Sequence, residues 1–270
     1  MRLCAAVACL THTHGERFGK ETIIATKNKN MERKLYRILN NEETYDFHYT
    51  SYIYQSEWRC SAIEFYEQIE KACKLSQECN IKISSALRIA TQYGWVIKDV
   101  QQMVRDGANE IPLDLFLVYN EQKKYIPMQP LMDFIVDYNK YFQETGIFLN
   151  EDNGHGQYFW EIIWDIVRKN EFPDAPCRLD CCFAFTNKKD AVLFANEFRD
   201  NDNRRLAEII INDADVTEYD MQWLTNIPVN STMNEAIEYA RNYWKGLKTE
   251  NPIIEALILG EYTFNKSDDE

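Results

Sequence analysis

Apolar positions follow two rhythms along the chain, and each change of rhythm marks an element. Residues 34–39 (KLYRIL) give a compact strand pattern with Arg37 in its middle, and residues 49–54 (YTSYIY) give a second, β-branched and aromatic one. Residues 57–78 and 84–105 switch to helical spacing, through Ile63, Tyr66, Ile69 and Cys73 in the first and Leu87, Ile89, Ala90, Val96, Val100 and Met103 in the second. Residues 113–119 (LDLFLVY) read as a buried strand or a short apolar run, and residues 130–144 and 157–169 as two more helices. In PCRLDCCFAFTNKKDAVLFANEF (residues 176–198), a strand over Asp180–Thr186 meets a polar turn and then a helix with Ala191, Val192, Phe194, Ala195 and Phe198 on its apolar positions. Residues 205–211 (RLAEIII) predict a strand, 219–224 a short helix or turn, and 232–244 an amphipathic helix stopped by Gly246. Residues 252–264 (PIIEALILGEYTF) predict a strand pair, or one strand with a bend near Gly260.

Strand signal therefore lies in 34–54 and 176–264, and helical signal in 57–170. This predicts an α+β fold in which a β-rich core carries a large helical insertion at about 57–170. Residues 31–270 read as a single domain. Residues 1–30 read as a disordered extension, because the apolar run Leu3–Leu10 is short and no clean cleavage site follows it.

Composition narrows the class. Hydrophobic residues are 45% and aromatics 13% of 270 residues, ample material for a core. The net charge of −13 argues against loose binding to a phosphate backbone, which depends on Lys and Arg displacing counterions. No apolar run approaches the roughly 20 residues needed to span a membrane. A cytoplasmic protein is expected, with a secreted effector as the alternative. The eight cysteines are scattered without a CxxC pair, so buried thiols are expected rather than disulfides.

Few residues sit where chemistry would need them. Arg37 lies between Tyr36 and Ile38, where a buried charge demands a partner. It either faces water from an edge strand or offers a planar fork to phosphate or amide oxygens. Arg178, just ahead of a strand, suits a phosphate equally, or pairs with Glu171 or Asp174 in a loop. Glu255 is the sharper candidate, one acid inside the apolar run PIIEALIL, costly unless it meets a cleft or a partner. His155 reads as an ordinary loop histidine. His12 and His14, near Cys4 and Cys9, read as part of the untethered tail. Cys181 and Cys182 alternate to opposite faces of a strand and so suit packing better than a shared metal; no metal site is expected.

Three stretches, in this order, resemble the ADP-ribosyltransferase superfamily. KLYRIL is similar to its first strand, and CRLDCCFAFTNKKDAVLFANEF to its second motif, a strand followed by an Ala-x-x-(Phe/Tyr)-Ala helix. PIIEALILGEYTF is similar to its last motif, where a glutamate lies on a strand leading into a turn. NEFPDAPCRLDCCFAF (residues 170–185) resembles the pattern of an uncharacterised bacterial family placed in that superfamily, and LYRI with the glutamate strand gives a looser likeness to DNA-targeting ADP-ribosyltransferase toxins. The chain departs from the pattern in two ways: Ile253 stands two residues before Glu255 where many members carry a second acid, and the serine of the second motif is missing. The resemblance implies a split β-core that uses NAD as substrate. Arg37 or Arg178 would hold the pyrophosphate, Phe183 or Phe185 would line the nicotinamide pocket, and Glu255 would bond the ribose 2′-hydroxyl and steady the oxocarbenium-like charge. It implies transfer of ADP-ribose to an unidentified acceptor, and the acidic net charge favours a protein or small molecule over nucleic acid. The alternatives are an NAD glycohydrolase and a non-catalytic interaction or regulatory domain on the same fold.

Overall fold

The computed structural model describes residues 34–39, 43–51, 56–146, 157–198 and 205–267, so the 1–30 extension and His155 lie outside the described residues. Strands β1 (Leu35–Leu39) and β2 (His48–Thr50) come first, then helices α1 (Ser56–Cys79) and α2 (Ile83–Arg105). A small antiparallel hairpin of β3 (Glu110–Pro112) and β4 (Tyr125–Pro127) leads into α3 (Met128–Thr145) and α4 (Gln157–Glu171). The remainder is β5 (Cys182–Phe185), α5 (Lys188–Phe198), β6 (Arg205–Asp220), the single turn α6 (Gln222–Thr225), α7 (Met233–Trp244) and β7 (Ile254–Lys266). The fold is α+β, and no helix among the described residues is long and apolar enough to cross a membrane.

Local signals explain the main boundaries. α2 buries Ile83, Ala86, Leu87, Ile89, Ala90, Tyr93 and Val100 along one stripe. α7 begins with a reciprocal capping box: the Thr232 side chain accepts from Glu235 N at 3.3 Å, and Thr232 N donates to Glu235 Oε2 at 2.7 Å. Asn187 Oδ1 accepts from Asp190 N at 2.9 Å, which sharpens the polar turn into α5.

All five strands of the main sheet pair antiparallel, in the order β2-β7-β5-β1-β6. β6 also pairs along β7, so β1, β5, β7 and β6 close into a ring. Closure gives the sheet an inner and an outer face. Leu35, Leu39, Cys182, Ala184, Ala207, Ile209, Ala256, Ile258, Tyr262 and Phe264 pack together on the inner one. Three alanines and a cysteine among them fit a ring with little room for side chains. On the outer face, Leu257 and Tyr219 join one continuous core with residues of α1 to α4 and α7. The helical block therefore packs directly on the sheet, not as a satellite. A smaller cluster of Tyr36, Phe185, Ala191 and Met221 lies beneath α5.

Four boundaries differ from expectation. Residues 113–119 form a 3-10 turn over Leu113–Phe116, because Leu113 and Phe116 bury one side and Leu117 turns left-handed at φ 58°. The second strand spans only His48–Thr50, and residues 52–55 lie outside the described residues. The fifth strand starts at Cys182, since Arg178–Asp180 coils into a 3-10 turn first. β6 runs nine residues past Ile211, to Asp220, because ladder bonds to β7 hold the polar stretch after Ile211.

β7 is one strand, and its bend lies across from a bulge in β6. The register slips between Ile211 and Asp213, and opposite the slip Gly260 adopts φ +134°. A Cβ there would stand 2.3 Å from Asp213 O and 2.7 Å from Ala214 Cα. Gly260→Ala is expected to cost about 3 kcal/mol of unfolding free energy, seen as a lower urea midpoint. An unchanged midpoint would show that the β6–β7 ladder yields at little cost.

Candidate functional site

The charged residues singled out from the sequence separate by strand parity. Arg37 faces Ala207 across the β1–β6 ladder and so points to the inner face. Glu255 faces Phe185 on one side and Tyr219 on the other, which places it on the outer face. The sheet stands between them.

Arg37 is 5% exposed and spends its fork inside the ring. Its Nε donates to Glu43 Oε1 at 3.1 Å, and its Nη1 donates to the Phe183 carbonyl at 2.7 Å. β1 and β5 are in register only at Tyr36↔Phe185, so the guanidinium bridges the two strands where their ladder has run out. Burial disfavours its charge, but Cys182, Glu43 and Tyr262 around it outweigh burial and hold its pKa above the usual value.

Arg178 lies on the other face, in the 3-10 turn ahead of β5. It is 4% exposed, and Glu255 is 3% exposed. Its Nε and Nη2 donate to the two oxygens of Glu161, on α4, at 2.6 and 2.9 Å. Its Nη1 donates to Glu255 Oε1 and contacts the hydroxyl of Tyr243, in the last turn of α7. That hydroxyl donates to Glu255 Oε1 at 2.8 Å. The guanidinium carbon stands 4.8 Å from the centre of the Phe183 ring and 5.1 Å from that of Tyr243, and Tyr243 stacks on Tyr219 at 4.6 Å. One cation thus ties α4, α7, β5 and β7 together at the centre of the outer-face core.

The electrostatics follow from burial. Burial opposes the charge of Arg178, but Glu161 and Glu255 overcome it and raise its pKa well above the usual range. Burial dominates at Glu161 and pushes its carboxyl up, although Arg178 pulls the other way. Burial likewise pushes the Tyr243 phenol well up, so the hydroxyl keeps its proton and can donate.

Of the five residues selected from the sequence, the structure gathers Arg178, Phe183 and Glu255. Phe185 is the cross-strand neighbour of Glu255, but its ring packs into the cluster under α5, 5.2 Å from that of Phe194. Sequence reasoning missed Glu161 and Tyr243. Glu161 carries the signal that revealed Glu255, an acid inside an apolar run (YFWEIIW), but its segment was read only for helical spacing. Tyr243 carried no signal, because an aromatic near a helix end is ordinary core material. Cys181 and Cys182 do fall in opposite-face clusters.

Truncating Arg178 would strand two buried carboxylates. Arg178→Met is expected to cost about 3–5 kcal/mol in urea unfolding. Tyr243→Phe removes one hydrogen bond to a charged acceptor and should cost about 2 kcal/mol. If the two losses were equal, Arg178 would not be the centre of the group.

Residues 121–270 match the profile of DUF2441, described as a protein of unknown function. The matched span contains Glu161, Arg178, Tyr243 and Glu255 and stops short of Arg37. No curated protein matches the chain. Because the match takes in more than half of the 270 residues and the whole outer-face cluster, the chain belongs to the DUF2441 family.

Proposed function

We propose that the chain is an ADP-ribosyltransferase-type protein that takes NAD on the outer face of the closed sheet, cleaves the nicotinamide bond and passes ADP-ribose to an acceptor. One observation carries this reading. Arg178, Phe183 and Glu255, picked from two stretches that resemble that superfamily, converge at the junction of β5 and β7. The third such stretch, β1, is the next strand in the sheet. Within this arrangement Glu255 is the acid for the ribose 2′-hydroxyl and for the positive charge that builds as nicotinamide departs. Arg178 takes a different role from the pyrophosphate anchor that the resemblance implied. It grips Glu255 directly and so fixes the acid's position. Arg178 and Tyr243 both bond Glu255 through Oε1, so Oε2 is the atom that would meet the ribose. Arg37, across the sheet, is outside this site.

A second reading, a non-catalytic domain on the same core, is favoured by the burial of the cluster. Both Glu255 and Arg178 are at most 4% exposed and engaged with each other and with protein neighbours.

One experiment separates the readings. Purified chain is incubated with labelled NAD, with and without cell lysate, and thermal unfolding is followed with and without NAD. The enzyme reading expects a rise in the unfolding midpoint with NAD, release of nicotinamide, and a loss of roughly 100-fold or more in Glu255→Gln. Arg37→Met should leave the NAD-induced rise intact. Absence of both midpoint shift and nicotinamide establishes the non-catalytic reading. Free ADP-ribose without acceptor would make the protein a glycohydrolase.

A further inference from the structure

The outer-face cluster has a charge imbalance that its hydrogen bonds alone do not remove. Glu161 and Glu255 come from different elements and converge on one guanidinium. Both, with Arg178, are at most 5% exposed, and Tyr243 is 0% exposed. With both acids ionised and the phenol neutral, the group carries one uncompensated negative charge in a dry core. Like charges sharing such a site are costly, and the usual resolution is retention of a proton. The surroundings do not supply a buried cation instead. Asp165, one turn along α4 from Glu161, takes Arg168 and Lys169 for itself at 2.8 and 3.0 Å. Lys169 is half exposed and so screened by solvent. Tyr219 from β6 and Cys181 beside Arg178 bring no positive charge. Tyr66 from α1 donates to Asp165 at 3.0 Å and brings none either.

We infer that Glu161 and Glu255 together hold one proton at neutral pH, leaving the buried group of Arg178, Tyr243 and the two acids electrically neutral. The proton belongs to the pair as a coupled unit. The upward push on the Glu161 carboxyl agrees in direction. The sign for stability follows. A folded state that binds this proton more tightly than the unfolded chain gains stability at pH below the ordinary carboxylate range, and loses that gain once pH rises far enough to remove the proton. The group then acts as a proton-sensitive latch between α4 and β7. Nothing in this depends on NAD.

Infrared spectroscopy of the whole protein in heavy water reads the proton directly. At neutral pH the wild type should show the C=O stretch of a protonated carboxyl, and the band should fade on the alkaline side. In Glu161→Gln and in Glu255→Gln the remaining acid pairs one-to-one with Arg178, so each variant should lose the band. Each should also keep the wild-type net charge at pH 7 by electrophoretic mobility, where an ordinary Glu→Gln change raises it by one. A wild type without the band at pH 7 overturns the inference, whether or not the variants fold. So does a band that persists in both variants.

Discussion

A guanidinium removed from water must find its full set of acceptors within the fold, and Arg178 finds them on other elements. Glu161 arrives on α4, Tyr243 on α7 and Glu255 on β7, while Arg178 itself sits in the turn before β5. A buried ion pair of this kind adds little net stability compared with apolar packing. Its effect is on specificity, because any arrangement that displaces α4 or α7 leaves a charge stranded in the core. The surrounding aromatics, Tyr219, Trp244 and Phe183, keep water out and strengthen each bond in the group.

Much of the architecture was legible in the chain. The helical rhythm of residues 57–105 acts locally, so periodicity found it. What stayed hidden was set by partners distant in sequence. The second half of β6 reads as polar loop, and only its ladder with β7 makes it a strand. Strict alternation from Ile209 and Ile211 would turn Tyr219 inward. The bulge at Asn212 resets the alternation and brings Tyr219 to the face of Glu255.

The candidate site shows the same division. Glu255 was legible as an acid in an apolar run and Arg178 as an arginine just ahead of a strand, both one-dimensional signals. That they meet each other, and that Arg37 lies behind the sheet, was not, because face assignment depends on register. Arg37 and Arg178 looked interchangeable as sequence, yet one braces the inside of the ring against Glu43 and the other anchors helices on its outside. The DUF2441 match covers the second arginine and not the first, so the outer-face group, unlike Arg37, lies wholly within the family's matched region.

Closure of the sheet also has a consequence in time. β7 lies latest in the chain among the described strands, and it touches β2, β5 and β6. Until residues 254–266 have been synthesised, β5 and β6 meet only through β1, the ring stays open, and Arg178 lacks one of its two acids. Pairings in the sheet span much of the described chain, Leu35 with Ile209 within the ring and His48 with Thr263 beside it. Such long-range pairing is slow, because loop-closure entropy is spent before the ladder bonds form. The fold is therefore one that commits late, with its helices able to gather early and its sheet sealed by the strand that arrives after them.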